Sequence, residues 1–135
     1  VTTVASDTFA TMAPNINAIS TGRKMPTGTA PSASGYVPFA RADGYITYIF
    51  PVEVSMLGFT PSLIRMTHVN GNVTYTITYS AYEGGTIMIA LLGISGVTNE
   101  SYTINASNTS AYVNGNGFLL PCPVNLAHCS WVAYE

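Results

Sequence analysis

The chain has 135 residues, 47% hydrophobic and only 7% charged, with four Lys or Arg against six Asp or Glu and a net charge of −2. That length suits one domain with a real core, and cations as few and scattered as Arg23, Lys24, Arg41 and Arg65 exclude a nucleic-acid interface, which needs them clustered. No apolar run reaches the roughly 18 residues of a membrane-spanning helix, and surface polarity must come from Ser, Thr and Asn.

Residues 1–44 carry four prolines and show no sustained period of either 2 or 3.6. They read as an extended, loosely structured arm, most irregular from Thr27 to Gly35, before a sandwich domain over 45–135. The opening Val1-Thr2-Thr3-Val4 shows no signal peptide, and the missing initiator Met points to a fragment or a processed chain.

From Gly44 onward the pattern is short strands. Tyr45–Phe50 is β-prone, with Pro51 expected to end it or confine it to an edge. Val52–Leu57 alternates, Gly58–Pro61 turns, and Ser62–Val69 resumes. Asn70-Gly71 predicts a type I′ hairpin. In the returning arm Val73, Tyr75, Ile77 and Tyr79 face one way, and Thr74, Thr76 and Thr78 the other. Tyr82–Gly85 reads as a loop, and Thr86–Leu92 (TIMIALL) as a central strand buried on both faces. Gly93–Glu100 reads as a loop and Ser101–Asn105 as a modest strand. Two further strands, Asn108–Tyr112 and Gly117–Leu120, flank the turn Asn114–Gly117. His128–Tyr134 closes the domain, with Cys129, Trp131 and Ala133 on one side. No helical stripe appears. Strands at roughly 8–12-residue spacing with turn signals between them predict an all-β, antiparallel β-sandwich of lectin-like or jelly-roll-like type.

Enzyme signatures are absent: no phosphate-binding Gly loop, no nucleophile elbow and no paired-His metal motif. The six acids are dispersed singly, against the paired carboxylates of a glycosidase, so the chain reads as a non-enzyme without cofactor or metal. Cys122 and Cys129 leave open a small disulfide loop, two buried thiols or a ligand-poor metal pair. As a disulfide they would pin the last hairpin. His68 reads as a strand residue opposite a threonine. Loop aromatics with Asn and Glu suit neutral sugars, offering a flat face and several hydrogen-bonding groups. The candidate receptor- or carbohydrate-binding residues are therefore Tyr82, Glu83, Tyr112, Asn114, Asn116 and His128.

Two stretches carry a family likeness. Val54-Ser55-Met56-Leu57-Gly58-Phe59-Thr60-Pro61-Ser62-Leu63-Ile64 resembles the opening of C-terminal domains of bacteriophage tail fibres and other minor tail proteins. Gly117-Phe118-Leu119-Leu120 followed by Ser130-Trp131-Val132-Ala133-Tyr134-Glu135 is similar to their close, which H-type lectins share. The resemblance implies a homotrimer at the virion tail, joined to upstream fibre segments. It would adsorb to a host cell-surface receptor, either a glycan or an outer-membrane protein, and would neither insert into a membrane nor bind nucleic acid. The alternative is a structural trimerisation or capping knob, or a virion decoration domain, with no ligand of its own. No sugar-binding residue transfers from the lectins.

Overall fold

A computed structural model of the protein describes residues 24–93 and 96–135. Within them lie ten strands: Thr27–Pro31 (β1), Val37–Ala40 (β2), Ile46–Ser55 (β3), Leu63–Asn70 (β4), Val73–Ser80 (β5), Thr86–Gly93 (β6), Gly96–Thr103 (β7), Tyr112–Asn114 (β8), Gly117–Cys122 (β9) and His128–Tyr134 (β10). Among the described residues the one helical element is a 3₁₀ turn, Ala81–Glu83. No helix there is long and apolar enough to cross a membrane.

The strands form two antiparallel sheets, one ordered β2-β3-β9-β8 and the other β1-β10-β4-β5-β6-β7. Their inner faces make the core. Phe39, Val52, Phe118, Leu120 and Cys122 meet Ile64, Met66, Ile77, Tyr79, Ile87, Tyr102, Cys129 and Ala133, nearly all of them without solvent contact. Each large side chain buried this way contributes about 1.5–3 kcal/mol. At one edge the sheets are seamed by an antiparallel bridge between Arg41 and Tyr102. The Ala42 N–H donates to the Ser101 carbonyl beside it, at 2.9 Å. The all-β sandwich read from the spacing is the architecture found.

The stretches quoted for the family likeness meet in space. Val54 pairs with Phe118 and Ser55 with Gly117 in the β3–β9 ladder. Trp131 packs edge-on against Phe118, ring centroids 5.7 Å apart, and Phe59 is buried beyond the turn at Gly58.

Several sequence expectations change. Residues 1–23 of the expected arm lie outside the described residues, but its remainder is not loose: β1 pairs with β10, and β2 with β3. Gly28 explains the first pairing, because a Cβ there would stand 2.8 Å from the Trp131 ring. Pro31 sits at the end of an edge strand, where a missing N–H costs little.

Nor does Pro51 end its strand. It faces Pro121 across the β3–β9 ladder, and two prolines can oppose each other only where the ladder has no N–H to supply. Ile49 and Val52 are both buried, so the in–out alternation steps by one around Pro51. There β3 also exchanges partners, from β2 at Ile46–Ile49 to β9 at Phe50–Ser55.

The hairpin after β4 has Gly71-Asn72 at its tip, because Asn70 pairs with Val73. Gly71 alone has positive φ, at 62°, which is the pattern of a type II′ turn and not type I′. His68 faces Tyr75 across that hairpin, not a threonine. Thr86–Leu92 is buried on one face only: Ile87 and Ile89 point into the core, while Met88 and Leu92 are 38% and 53% exposed. Most of the expected loop Gly93–Glu100 belongs to β7, the sheet edge, and the strand expected at Asn108–Tyr112 is β8, starting at Tyr112. Finally, β9 and β10 are not a hairpin. They belong to different sheets, and Pro123–Ala127 is the corner between them.

Candidate functional site

The candidate residues fall in three places. Tyr82 and Glu83 lie on the 3₁₀ turn between β5 and β6, which Ser80 caps by accepting from the Tyr82 N–H at 3.2 Å. Tyr82 is 79% exposed. It walls a shallow pocket of about 350 Å³ whose other sides include Leu63, Tyr134 and Lys24. Asn114 and Asn116 belong to the β8–β9 hairpin, where the Asn114 side chain and the Asn116 backbone hold the turn. The Asn114 Oδ1 accepts from the Asn116 N–H at 2.9 Å, and the Asn116 carbonyl accepts from the Leu57 N–H at 2.9 Å. His128 starts β10, and its carbonyl contacts the His68 ring Nδ1 at 3.0 Å.

Tyr112 is the candidate that meets a partner. On the outer face of the four-stranded sheet, Glu53, Leu119 and Tyr112 form one cross-strand row over β3, β9 and β8. The Tyr112 hydroxyl reaches over Leu119 and donates to the Glu53 Oε2. That bond pushes the Tyr112 phenol up to about 12, with partial burial and the nearby negative charge adding to it.

Glu53 and Leu119 also line a pocket of about 380 Å³. Pro51, Pro31, Ala33 and Leu126 supply apolar walls, and Ser32 completes the lining. The Ser32 hydroxyl is turned inward, where it donates to the Val124 carbonyl at 2.6 Å and accepts from the Ala127 N–H at 2.8 Å, and the residue is buried. Glu53 is therefore the polar group this pocket offers. An ionised carboxylate has about four acceptor positions, and Tyr112 takes one while fixing its orientation. A ligand with hydroxyl or ammonium donors on one side and a C–H face on the other would satisfy both the carboxylate and the walls.

Sequence reasoning treated Glu53 as one solvated acid among six. A sharper signal was present: it is a carboxylate inside the alternating strand Val52-Glu53-Val54, so it points away from the core onto a sheet face. Leu126 left no such signal. It sits in the sheet-to-sheet corner at φ 51° and is 60% exposed, a left-handed backbone that no residue type at that position announces. His128 pairs through its backbone with Pro31 of the pocket wall, but it is not part of the lining.

Among the described residues, no group of three or more His, Cys, Asp or Glu is placed to hold a metal ion. The chain matches no family model, and no curated protein or solved structure matches it.

Proposed function

We propose that the chain is a non-catalytic binding domain of a bacteriophage tail fibre or related tail protein, which adsorbs to a bacterial surface glycan through the Glu53–Tyr112 pocket. The observation that carries the glycan reading is a phenol-oriented carboxylate set among the apolar walls Pro31, Pro51, Leu119 and Leu126. Sugar hydroxyls would donate to Glu53 while the ring's C–H face lies on those walls. The tail-fibre reading draws on the likeness of Val54–Ile64 and of the Gly117–Leu120 and Ser130–Glu135 stretches. These stretches converge through the Val54–Phe118 pairing and the Phe118–Trp131 contact. Carried as a homotrimer, as the likeness implies, three weak sites on one rigid body would gain avidity through effective concentration. No bond is broken in this mechanism. With few charges near the pocket, binding would depend little on salt.

The test is to incubate the fluorescently labelled chain with a panel of bacteria differing in surface polysaccharide. Bound protein is counted for wild type and for Glu53→Gln. Wild-type binding to a subset of the panel, weakened roughly 10- to 100-fold by the substitution with the thermal midpoint kept, is the expected result. No binding at saturating protein would sink the reading and favour a structural knob. Binding indifferent to Glu53 would move the site elsewhere.

A further inference from the structure

Cys122 and Cys129 come from opposite sheets, at the end of β9 and near the start of β10. Both are free and have no solvent exposure. Their sulfurs are 3.6 Å apart, with either thiol able to donate to the other. The Pro123–Ala127 corner that joins them is anchored from both sides by the Ser32 hydroxyl. The strand ends that present the two sulfurs are thus held face to face. A disulfide is about 2.05 Å long, so the gap to close is small enough for side-chain rotation.

We propose that this pair is a built-in oxidation site, converted by a peroxide-class oxidant into a disulfide that cross-links the two sheets at one end of the sandwich. The chemistry balances with hydrogen peroxide. The Cys122 thiolate attacks one peroxide oxygen, the O–O bond breaks, and water leaves a sulfenic acid on Cys122. The Cys129 sulfur then attacks the Cys122 sulfur, forming the S–S bond and breaking S–O. A second water departs with the Cys129 proton. Two thiols and one peroxide give one disulfide and two waters, with two electrons passing from sulfur to oxygen.

The local bonding assigns the order of events. With the Cys129 thiol as donor in the contact between the two sulfurs, the Cys122 thiol is lowered to about 7 despite burial, with the Val124 backbone, His68 and Ser32 helping. The Cys129 thiol is held up by that donation and by burial. Cys122 is thus the attacking sulfur and Cys129 the resolving one. The ring closed, Cys122 through Cys129, would fasten the corner carrying Leu126 of the pocket wall. It is independent of what the pocket binds.

The experiment treats the reduced, folded chain with hydrogen peroxide, then denatures it, alkylates free thiols and weighs it. The expected product is monomeric, about 2 Da lighter and closed to alkylation. Its thermal midpoint should rise by roughly 5–10 °C and fall back with dithiothreitol. Cys129→Ala, which keeps an apolar side chain in the core, should show neither the mass loss nor the rise. Two alkylatable thiols after treatment would overturn the proposal, as would oxygen added without bridging or dimers linked between chains. A bridge that leaves the midpoint unchanged would overturn the cross-link between sheets.

Discussion

The two sheets are built from the same residue types but assembled differently. In the six-stranded sheet β4, β5, β6 and β7 follow one another along the chain, each paired with the next. Those three ladders each close a short loop, and β10 then joins β4 and β1 from the far end of the chain. The four-stranded sheet depends on its central ladder, β3 with β9, which joins Val52 to Leu120 and Ser55 to Gly117 across more than half the sandwich sequence. Non-local pairing carries a larger closure entropy and forms late. It must therefore be specified by fit at particular positions. The long ladder has such devices in the opposed prolines Pro51 and Pro121, and in Gly117, where a Cβ would lie 1.9 Å from the Val54 carbonyl oxygen.

Gly117→Ala is the hardest test of that contrast. The obstructing atom is backbone in a paired strand, so nothing nearby can yield without breaking the ladder. Stability should fall by about 3 kcal/mol or more, read as a shift of the urea midpoint. A loss below about 1 kcal/mol would mean that the β3–β9 ladder tolerates displacement, and the contrast between the sheets would weaken.

Gly28→Ala makes the matching challenge at the edge of the other sheet. Its Cβ would meet the Trp131 ring at 2.8–2.9 Å, a clash with a side chain against a strand that has one neighbour only. β1 can shift outward, so the expected loss is about 1–2 kcal/mol. The measurement is the same urea midpoint, with tryptophan fluorescence reporting whether the ring has moved. A loss equal to that of Gly117→Ala would erase the distinction between edge and seam.

This difference in assembly also explains what the sequence disclosed. Sequential hairpins write themselves locally: Gly71 at a tip, the alternation of Val73, Tyr75, Ile77 and Tyr79, and the return at Thr86. The face assignments in β5 follow directly from that alternation, and Ile77 and Tyr79 are buried as read. The β3–β9 ladder of the four-stranded sheet and the β1–β10 ladder of the six-stranded one were harder to read because they join distant residues. Pro51 looked like a terminator until Pro121 stood opposite it, and Thr27–Pro31 looked irregular until Trp131 lay over Gly28. TIMIALL misled for another reason. A continuous apolar run does not say whether a second layer covers its outer face, and here Met88 and Leu92 stay exposed. The candidate site had the same limit: Tyr112 stood out as a loop-edge aromatic, but its partner Glu53 comes from a strand paired only through β9.

The smallest expected effect bears on that partnership. Both Tyr112 and Tyr102 have phenols pushed up to about 12, Tyr112 chiefly by the Glu53 bond and Tyr102 chiefly by burial. A folded-state value above the ordinary 10 means the protonated phenol is favoured in the native chain. The contribution is therefore complete below about pH 10 and disappears as pH rises toward about 12. Followed by phenolate absorbance, the folded wild type should hold back these two tyrosines together with Tyr79, whose phenol is also pushed up by burial. Glu53→Gln removes the negative acceptor, so Tyr112 should ionise earlier and leave Tyr79 and Tyr102 as the late phenols. Tyr112→Phe should leave the same two late phenols by deleting the third. If Glu53→Gln keeps the Tyr112 ionisation late, Tyr112 is not tied to Glu53, and the pocket loses the group that orients its one carboxylate. Tyr102 serves as the internal control, since its hydroxyl bonds Glu100, two residues back on the same strand β7, at 2.8 Å. A change in Tyr102 would show that the substitution disturbed the seam and not merely the pocket.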